Sequence, residues 1–388
     1  MKNNKIAKTA THGKKKKYNT LFSPILINKL KLENRIIMAP THDNLATMDG
    51  FITPLMIDSY LKRAKGGLSM IVLGGVFINP RKLALVPRLS DDQYIPGMRK
   101  MTDNIHSVPG VYICAQLTDS LKIARGGWKQ NFNDLTIEDI QQIVGYFRQA
   151  AIRAREAGLD AIEIHAAHGY TLSSSLSLRN KRGDEYGGSI NGRMRMVTEV
   201  YQTVRDALGS DYPIGIRING EEFIIDGNTL QQSRIIARKC AEMGFDYISI
   251  SAGGKYEDSL GLIPKYELPA NYPPFGGYSG FRAMPPAWMP EAVNVYLAAD
   301  IRETVRKAGY STPIITAGRI PNPKIAEVIL RKGQADIIAL SRPLLRDPDW
   351  PRKAREGRDK EINKCTYCNY CLERELYDEA GFCQYLNE

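Results

Sequence analysis

The chain has 388 residues, of which 43% are hydrophobic and 24% charged, a composition typical of a globular protein with a large core. No apolar run approaches the roughly 20 residues that cross a bilayer, and the lysine-rich start has no apolar stretch behind it, so a membrane span and a secretory signal are both excluded. The net charge of +11 is high, but no nucleic-acid-binding module accompanies it. We therefore expect a cytoplasmic protein with an anionic cofactor, substrate or protein partner and no nucleic acid.

Residues 1–18 end in a run of lysines and predict a disordered basic arm, with docking to an acidic partner as the alternative. From Leu32 onward, short β-rich apolar runs alternate with helical patterns. Eight such strand–helix units predict an α/β fold, a (β/α)8 TIM barrel over residues 19–346. The predicted strands are Ile36–Ala39, Met70–Leu73, Tyr112–Gln116, Ala161–His165, Ile214–Ile218, Tyr247–Ser251, Ile314–Ala317 and Ile337–Ser341.

Several helices have readable starts. Thr53 stands before a proline as an N-cap, and Thr136 opens a long helix that ends near Gly158. Two segments interrupt the rhythm of strands and helices. Tyr256–Ala292 is rich in Pro, Gly and Tyr and predicts an ordered loop at the barrel mouth, and residues 347–388 predict a small appended module.

The six cysteines are distributed unevenly. Cys114 and Cys240 stand alone in apolar or helical contexts and are expected to be packing residues. The other four crowd the end of the chain, which favours a metal site in a reducing compartment over disulfide staples. They are Cys365, Cys368, Cys371 and Cys383. Four thiolates satisfy either a cubane iron–sulfur cluster or tetrahedral zinc, and two successive two-residue gaps followed by a distant fourth cysteine favour the cluster.

Functional residues of these barrels gather at the carboxyl ends of the strands. The side chains predicted there include donors, glycines and arginines and few acids, which suits a phosphate and a polar ring better than a divalent metal. Gly318 and Arg319 follow the seventh strand, and Ser341 and Arg342 follow the eighth. Phosphate sites commonly occupy this position, although structural salt bridges of the two arginines are the alternative.

One set of motifs is specific. His165-Ala166-Ala167-His168-Gly169-Tyr170 follows the fourth strand, and Arg182-Gly183-Asp184-Glu185-Tyr186-Gly187-Gly188-Ser189 comes soon after. Together with Leu21–Pro24, Glu33–Pro40 and Leu344–Pro348, these motifs resemble the old yellow enzyme family of FMN-dependent ene-reductases. The resemblance spans roughly residues 20 to 350.

The resemblance implies how FMN would be held. The backbone near Ala39, Pro40, Thr41 and His42 would meet the flavin, and Gly74 would lie under its ring. Gln116 would bond the pyrimidine edge, and Arg217 would stabilise negative charge near N1. Gly253 completes this set, and Gly318, Arg319, Ser341 and Arg342 would hold the phosphate.

It also implies three catalytic residues. His165 and His168 resemble the pair that binds the carbonyl oxygen of an activated alkene, so that the β-carbon accepts hydride from N5 of FMN. Tyr170 resembles the proton donor to the α-carbon, because a phenol stays protonated at neutral pH. A satisfied core histidine pair and a packing tyrosine are the structural alternatives.

Three departures favour the iron–sulfur branch of this family, which includes 2,4-dienoyl-CoA reductases and trimethylamine dehydrogenase. Gln116–Asp119 lacks a histidine often found there, His42 replaces a redox-tuning cysteine or threonine, and the cysteine tail is absent from simple members. That branch usually carries further FAD and nicotinamide domains, and the sequence has no second Gly-rich dinucleotide fingerprint. We therefore expect a separate electron-donor protein or an FAD/NAD-binding subunit, and a homo-oligomer stays open.

The leading hypothesis is an FMN- and [4Fe–4S]-dependent ene-reductase. The cluster takes up single electrons and loads FMN with the pair that an alkene needs. The signature around His42 and Gly74–Gly75 resembles dienoyl-CoA reductases, so an alicyclic or dienoyl enoyl-CoA thioester is the preferred substrate. The alternatives are an oxidative, amine dehydrogenase-like flavoenzyme and a non-catalytic electron-transfer subunit.

Overall fold

The computed structural model describes residues 17–81, 85–122, 130–255, 277–374 and 379–385. Eight parallel strands form a closed barrel in the order β10-β3-β4-β5-β6-β7-β8-β9. All eight coincide with predicted strands to within a few residues: β3 (Ile36–Met38), β4 (Met70–Phe77), β5 (Tyr112–Thr118), β6 (Ala161–Ala166), β7 (Ile214–Asn219), β8 (Tyr247–Ser251), β9 (Ile314–Thr316) and β10 (Ile337–Leu340). The predicted (β/α)8 barrel is therefore confirmed.

A short antiparallel hairpin closes the amino end of the barrel. It consists of β1 (Ile25–Ile27) and β2 (Leu30–Leu32). Its buried side chains pack with Met70 and Tyr247, which stand at the starts of β4 and β8. The interior below the strand ends is thus filled with side chains, and this leaves the carboxyl end for a ligand.

The helices surround the strands and bury their apolar faces against them. They are α1 (Pro54–Lys65), α2 (Ile95–His106), α3 (Ile137–Glu156), α4 (Thr171–Leu176), α5 (Ile190–Leu208), α6 (Leu230–Met243), α7 (Gly277–Ala283), α8 (Val295–Lys307), α9 (Pro323–Arg331), α10 (Arg342–Arg346), α11 (Trp350–Arg355) and α12 (Tyr370–Glu373). Both predicted caps are confirmed. The Thr53 hydroxyl accepts from the Met56 N–H, and Thr136 and Asp139 form a reciprocal capping box.

The predicted loop at the barrel mouth and the predicted basic arm lie only partly within the described residues, and the described part of each differs from expectation. The predicted loop Tyr256–Ala292 contains helix α7, and its residues 256–276 lie outside the described residues. The predicted arm also lies outside them except for Lys17 and Tyr18. Tyr18 is buried and donates a hydrogen bond to Asp359, so these two residues pack against the tail.

The tail after β10 lies against the mouth of the barrel. Leu345, Cys371 and Leu372 form a small apolar cluster with Met284 packed on it. The Gly381 N–H donates to the Asp43 carbonyl oxygen at 2.8 Å, which ties the last described segment to the loop after β3. The two lone cysteines, Cys114 and Cys240, are fully buried, as predicted for packing residues. Among the described helices, none is both long and apolar enough to cross a membrane.

Candidate active site

A deep cavity opens at the carboxyl ends of the barrel strands. It encloses about 1130 Å³ of empty space, the open solvent at its mouth included. Nearly all residues predicted for catalysis and flavin binding line it: Ala39, Pro40, Thr41, His42, Gly74, Gln116, His165, His168, Tyr170, Arg217, Gly318, Arg319, Ser341 and Arg342. Gly253 is the exception. It packs behind the wall against Ser279, and its neighbour Gly254 lines the cavity instead.

The two histidines belong to one hydrogen-bonded chain. His168 Nδ1 lies 3.3 Å from His165 Nε2, and His168 Nε2 lies 2.6 Å from the Ser251 hydroxyl. Arg217 donates to the same hydroxyl at 3.2 Å. Both ring nitrogens of His168 are therefore engaged within the protein. His165 Nδ1 is buried and has no hydrogen-bond partner among the described residues. The motif predicted equivalent roles for the two histidines, but their hydrogen bonding differs, because only His165 has an unpaired ring nitrogen.

Burial lowers the pKa of both histidines well below the ordinary value of 6.5. The neighbouring charges of Arg217 and Lys255 act in the same direction. The two rings are consequently neutral at physiological pH. A neutral imidazole has one N–H and one acceptor nitrogen, so the position of each proton along this chain depends on the tautomers of the two rings.

His168 is held by its backbone as well. It adopts a left-handed conformation with φ of 63° and forms an isolated bridge with Gly254. The Lys255 N–H donates to the His168 carbonyl oxygen at 2.9 Å. Few non-glycine residues adopt such a conformation, and those that do are often at functional sites.

Tyr170 occupies the same wall. Its ring centroid lies 4.8 Å from that of His165 and 6.5 Å from that of Phe77. The Lys255 ammonium lies 5.6 Å from the Tyr170 ring centroid and also lines the cavity. Because Tyr170 is half-buried at the cavity surface, its phenol is available to a bound molecule.

Gln116 is oriented by a buried carboxyl group. Its side-chain amide donates to Glu163 Oε1 at 2.7 Å, and Glu163 is itself 1% exposed. Burial raises the pKa of Glu163, and the charge of Arg217 acts against this rise. Arg217 donates to the Ser249 hydroxyl at 2.9 Å. The hydrogen bond to Glu163 therefore fixes the orientation of the Gln116 amide, which lines the cavity.

A β-bulge shapes the wall beside β4. The register of β4 against β5 shifts between Leu73 and Val76. A Cβ on Gly74 would lie 2.3 Å from the Thr41 backbone nitrogen, so glycine is required for the segment after β3 to pass there. The Thr41 hydroxyl lies 2.7 Å from the Ser341 hydroxyl and joins the first strand end to the last.

The far end of the cavity carries unsatisfied donors. Gly318, with φ of 109°, and Arg319, with φ of 52°, both adopt the left-handed conformation after β9. The Arg319 Nε and Nη1 atoms are buried and find no hydrogen-bond partner in the described parts of the chain. An unpaired buried guanidinium is unfavourable, so these atoms indicate a place for an anion.

Arg342 is directed toward the cysteine tail. Its Nη1 donates to the Pro285 carbonyl oxygen at 3.0 Å and to the Asn369 side chain. The Tyr367 ring lies beneath both arginines, 4.9 Å from the Arg342 guanidinium and 5.2 Å from that of Arg319. Tyr367 and Leu372 line the cavity. Part of the wall at this end is therefore built by the tail.

The four tail cysteines lie near one another. Burial raises the pKa of the Cys371 thiol to about 12, and the charges of Cys365, Cys368 and Cys383 act in the same direction. The pKa of Cys365 is also raised by burial, and the charge of Arg342 acts against the rise at both cysteines. Two groups donate to the sulfurs: the Tyr367 N–H to Cys365 at 3.3 Å and the Gln384 amide to Cys368 at 3.4 Å.

Within the described residues, no three His, Cys, Asp or Glu side chains converge to hold a single metal ion. A tetrahedral ion needs all its ligands around one centre, whereas each thiolate of a cubane binds its own iron. The cluster therefore stays a prediction based on the spacing of these cysteines.

Sequence reasoning missed three residues of this site, of which Lys255 and Tyr367 line the cavity and Glu163 lies buried behind Gln116. Glu163 alternates with apolar neighbours along β6, where a lone buried acid is a signal that a partner exists. Lys255 follows two glycines just after β8, and this position at a strand end could have indicated it. Tyr367 stands between two cysteines, and only the folded tail brings it to the end of the cavity that Arg319 lines.

A closed parallel barrel with a ligand cavity at its carboxyl mouth defines a TIM-barrel enzyme, here with donors suited to a phosphorylated cofactor. The sequence matches the NADH:flavin oxidoreductase / NADH oxidase family over residues 20–253 and 290–361. The chain belongs to this family, the old yellow enzyme family.

Individual relatives differ in what they are named for. The chain is 35% identical to an NADH oxidase of Thermoanaerobacter brockii over 373 residues, covering 91% of this chain and 53% of that protein. The structure of 2-naphthoyl-CoA reductase with 2-naphthoyl-CoA is similar, with a TM-score of 0.78 and 26% identity over 95% of this chain and 57% of that one.

Histamine dehydrogenase from Rhizobium sp. 4-9 is similar to the same degree. Its TM-score is 0.78 at 25% identity, covering 95% of this chain and 52% of that one. The chain thus spans about half the length of these larger relatives.

Proposed function

We propose that this protein is an FMN- and [4Fe–4S]-dependent ene-reductase that reduces the C=C bond of an α,β-unsaturated carbonyl compound, with an acyl-CoA thioester as the preferred substrate. The observation that carries the proposal is the joint position of His165, His168 and Tyr170 on one cavity wall. That wall offers a donor for a carbonyl oxygen beside a phenol that can deliver a proton.

The cavity suits FMN at both of its ends. The unpaired donors of Arg319 suit a phosphate, and the oriented amide of Gln116 suits the polar edge of the flavin ring. Buried Arg217 adds a fixed positive charge near that amide through their shared neighbour Glu163. When bound there, FMN would supply the hydride.

The histidine chain would polarise the substrate carbonyl. Arg217 donates to the Ser251 hydroxyl, which can then donate its own proton to His168 Nε2. His168 Nδ1–H would donate to His165 Nε2, and this leaves His165 Nδ1 as a donor. In this assignment each N–H or O–H of the hydrogen-bonded series is donated to the next member, except the N–H at His165 Nδ1. That N–H would donate to the carbonyl oxygen of the substrate. Since both rings are neutral, polarisation comes from a hydrogen bond and not from a full imidazolium charge.

Tyr170 would protonate the α-carbon. Its ring is fixed between His165 and the Lys255 ammonium, and its phenol O–H is a possible proton donor at the cavity surface. The positive charge of Lys255 would favour the enolate-like charge that develops as hydride arrives.

The four tail cysteines would bind the cluster. Hydrogen bonds to Cys365 and Cys368, and the nearby charge of Arg342, are features that stabilise a negatively charged thiolate cluster. A cluster suits this reaction because it takes up single electrons, whereas an alkene needs a pair.

An acyl-CoA substrate agrees with the high positive charge of the chain and with its likeness to a reductase whose structure contains 2-naphthoyl-CoA. The electron donor expected from the sequence is a separate protein or subunit. NADH alone should then reduce the purified chain slowly, and rapid direct reduction would contradict that expectation.

The second candidate is an oxidative amine dehydrogenase, which the likeness to histamine dehydrogenase supports. The two directions separate in one experiment. The protein is reduced without oxygen and mixed with a panel of unsaturated acyl-CoA thioesters, with saturated thioesters as matched controls. Return of the flavin absorbance with unsaturated compounds alone supports the ene-reductase. Bleaching of the oxidised protein by amines, with no response to the thioesters, would support the dehydrogenase.

A further inference from the structure

Tyr367 combines two unfavourable features. It lies between Cys365 and Cys368 and adopts a left-handed backbone conformation with φ of 56°. Its side chain is 4% exposed, and its hydroxyl is buried without a hydrogen-bond partner among the described residues. A bulky residue rarely adopts this conformation, and a buried hydroxyl is rarely left unpaired. Such a combination persists where it serves a ligand.

The surroundings of Tyr367 indicate the charge of that ligand. Its ring packs beneath the guanidinium groups of Arg319 and Arg342. The Arg319 Nε and Nη1 atoms also lack partners within the described ranges and line the same cavity. Two guanidinium groups over one ring, together with the unpaired donors of Arg319 and of the Tyr367 hydroxyl, favour an anion with several acceptor oxygens.

We propose that the Tyr367 hydroxyl donates to the phosphate of FMN, so that the cysteine loop is part of the flavin site and the two cofactors bind with positive linkage. This inference rests on the proposed function only for the identity of the two cofactors. It adds a binding residue at the phosphate end and a coupling between the tail and the barrel.

A second contact fixes the same loop. The Arg342 Nη1 donates to the Asn369 side chain, and the Asn369 amide donates to the Met284 carbonyl oxygen at 3.3 Å. Asn369 is buried and, like Tyr367, adopts a left-handed conformation. Thiolates held by a cluster would lock the loop between Cys365 and Cys371 in this form. Loss of the cluster would release Tyr367 from the phosphate end, and by reciprocity loss of FMN would weaken the hold on the cluster.

The first test compares FMN with riboflavin, which lacks the phosphate. Protein that retains its iron is depleted of flavin, and each flavin is titrated back into wild type and Tyr367→Phe. The phenylalanine keeps the ring beneath the arginines and removes only the O–H. We expect the Kd of FMN to rise about ten-fold or more, as for a lost hydrogen bond to a charged group, with the Kd of riboflavin unchanged. Tyr201→Phe, at a buried tyrosine of α5 that packs on Phe245 and does not line the cavity, is the matched control and should change neither.

An unchanged FMN affinity in Tyr367→Phe would overturn the proposal, and so would an equal weakening of both flavins, which would indicate packing alone. The second test removes iron from wild type and from Tyr367→Phe. Linkage predicts that iron removal weakens FMN binding in wild type and much less in the variant. Equal weakening in both would overturn the linkage.

These binding measurements do not depend on turnover. Failure to reduce any alkene would count against the proposed function and leave the Tyr367 contact standing. Failure to bind either flavin would overturn both.

Discussion

The two ends of the cavity are built differently. At the reaction end, His165, His168 and Gln116 form hydrogen bonds within the protein to Ser251 and Glu163. At the phosphate end, buried donors of Arg319 and Tyr367 have no partner in the parts of the chain that the structure describes. The reaction end is thus preorganised by the fold, with His165 Nδ1 as the atom left for a ligand, whereas the phosphate end is completed only by an anion. The first should set the chemistry and the second the retention of cofactors.

Loss of a cluster ligand should have the largest effect. Cys371→Ala removes a buried thiol from the tail, so iron content should fall to background and electron uptake should stop. Cys240→Ala, at a fully buried cysteine on α6 remote from the tail, is the control and should retain iron. Full iron in Cys371→Ala would refute the cluster assignment. The measurement is iron per chain with the visible spectrum.

Tyr170→Phe tests the chemistry of the reaction end. The phenyl ring keeps the contact with His165, so flavin loading should stay intact. Flavin reoxidation by substrate should slow by about 10²- to 10⁴-fold, the usual contribution of a positioned general acid. Rapid mixing of the reduced variant with substrate gives this rate, and an unchanged rate would exclude Tyr170 as the proton donor.

His165→Asn should slow the same step by about 10²- to 10³-fold, because it removes the donor assigned to the carbonyl oxygen. His106→Asn is a suitable control, since His106 is exposed on the far side of the barrel and bonds Asp160. If both variants behave like wild type, His165 has only a packing role.

The pH dependence sharpens the same assignment. Since burial lowers the pKa of His165 and His168 well below 6.5, both rings should stay neutral as pH rises from 6 through 8. The reoxidation rate should show no step near pH 6.5 from these rings. A step there that vanishes in His165→Asn would mean that the ring titrates normally and acts as an imidazolium.

Lys255→Met should have the smallest effect. The methionine keeps most of the side-chain length beside Tyr170 and removes the charge. Because one solvent-accessible charge contributes about 0.2–1 kcal/mol, we expect the KM of an acyl-CoA substrate to rise by about two- to five-fold. An uncharged enone serves as the comparison and should keep its KM, and an equal rise in KM for both substrates would show that Lys255 does not act on the negative charge of CoA.

The sequence predicted the barrel and nearly all of the cavity for one physical reason. Parallel strands in a closed barrel end at the same rim, so residues such as Gln116, His165 and Arg217 meet there once the strands are located. Gly253 does not line the cavity, whereas the next residue, Gly254, does, and a role of Gly253 in cofactor binding stays a prediction. The unequal roles of the two histidines depend on the contact of His168 with Ser251 and on the left-handed backbone of His168, and a sequence motif predicts neither.

Tyr367 could not be predicted, because its neighbours come from three separate parts of the chain. The tail must fold back onto the loops after β9 and β10 before Tyr367 contacts Arg319 and Arg342. Spacing of the cysteines indicates a cluster and says nothing of what the residues between them touch.

The most direct test of the central claim is a single turnover without oxygen. Protein carrying both cofactors is reduced, mixed with one unsaturated acyl-CoA thioester, and analysed for product and for flavin absorbance together. The account predicts one saturated thioester for each flavin reoxidised. Flavin that stays reduced in the presence of every unsaturated thioester and enone, with no saturated product formed, would contradict it.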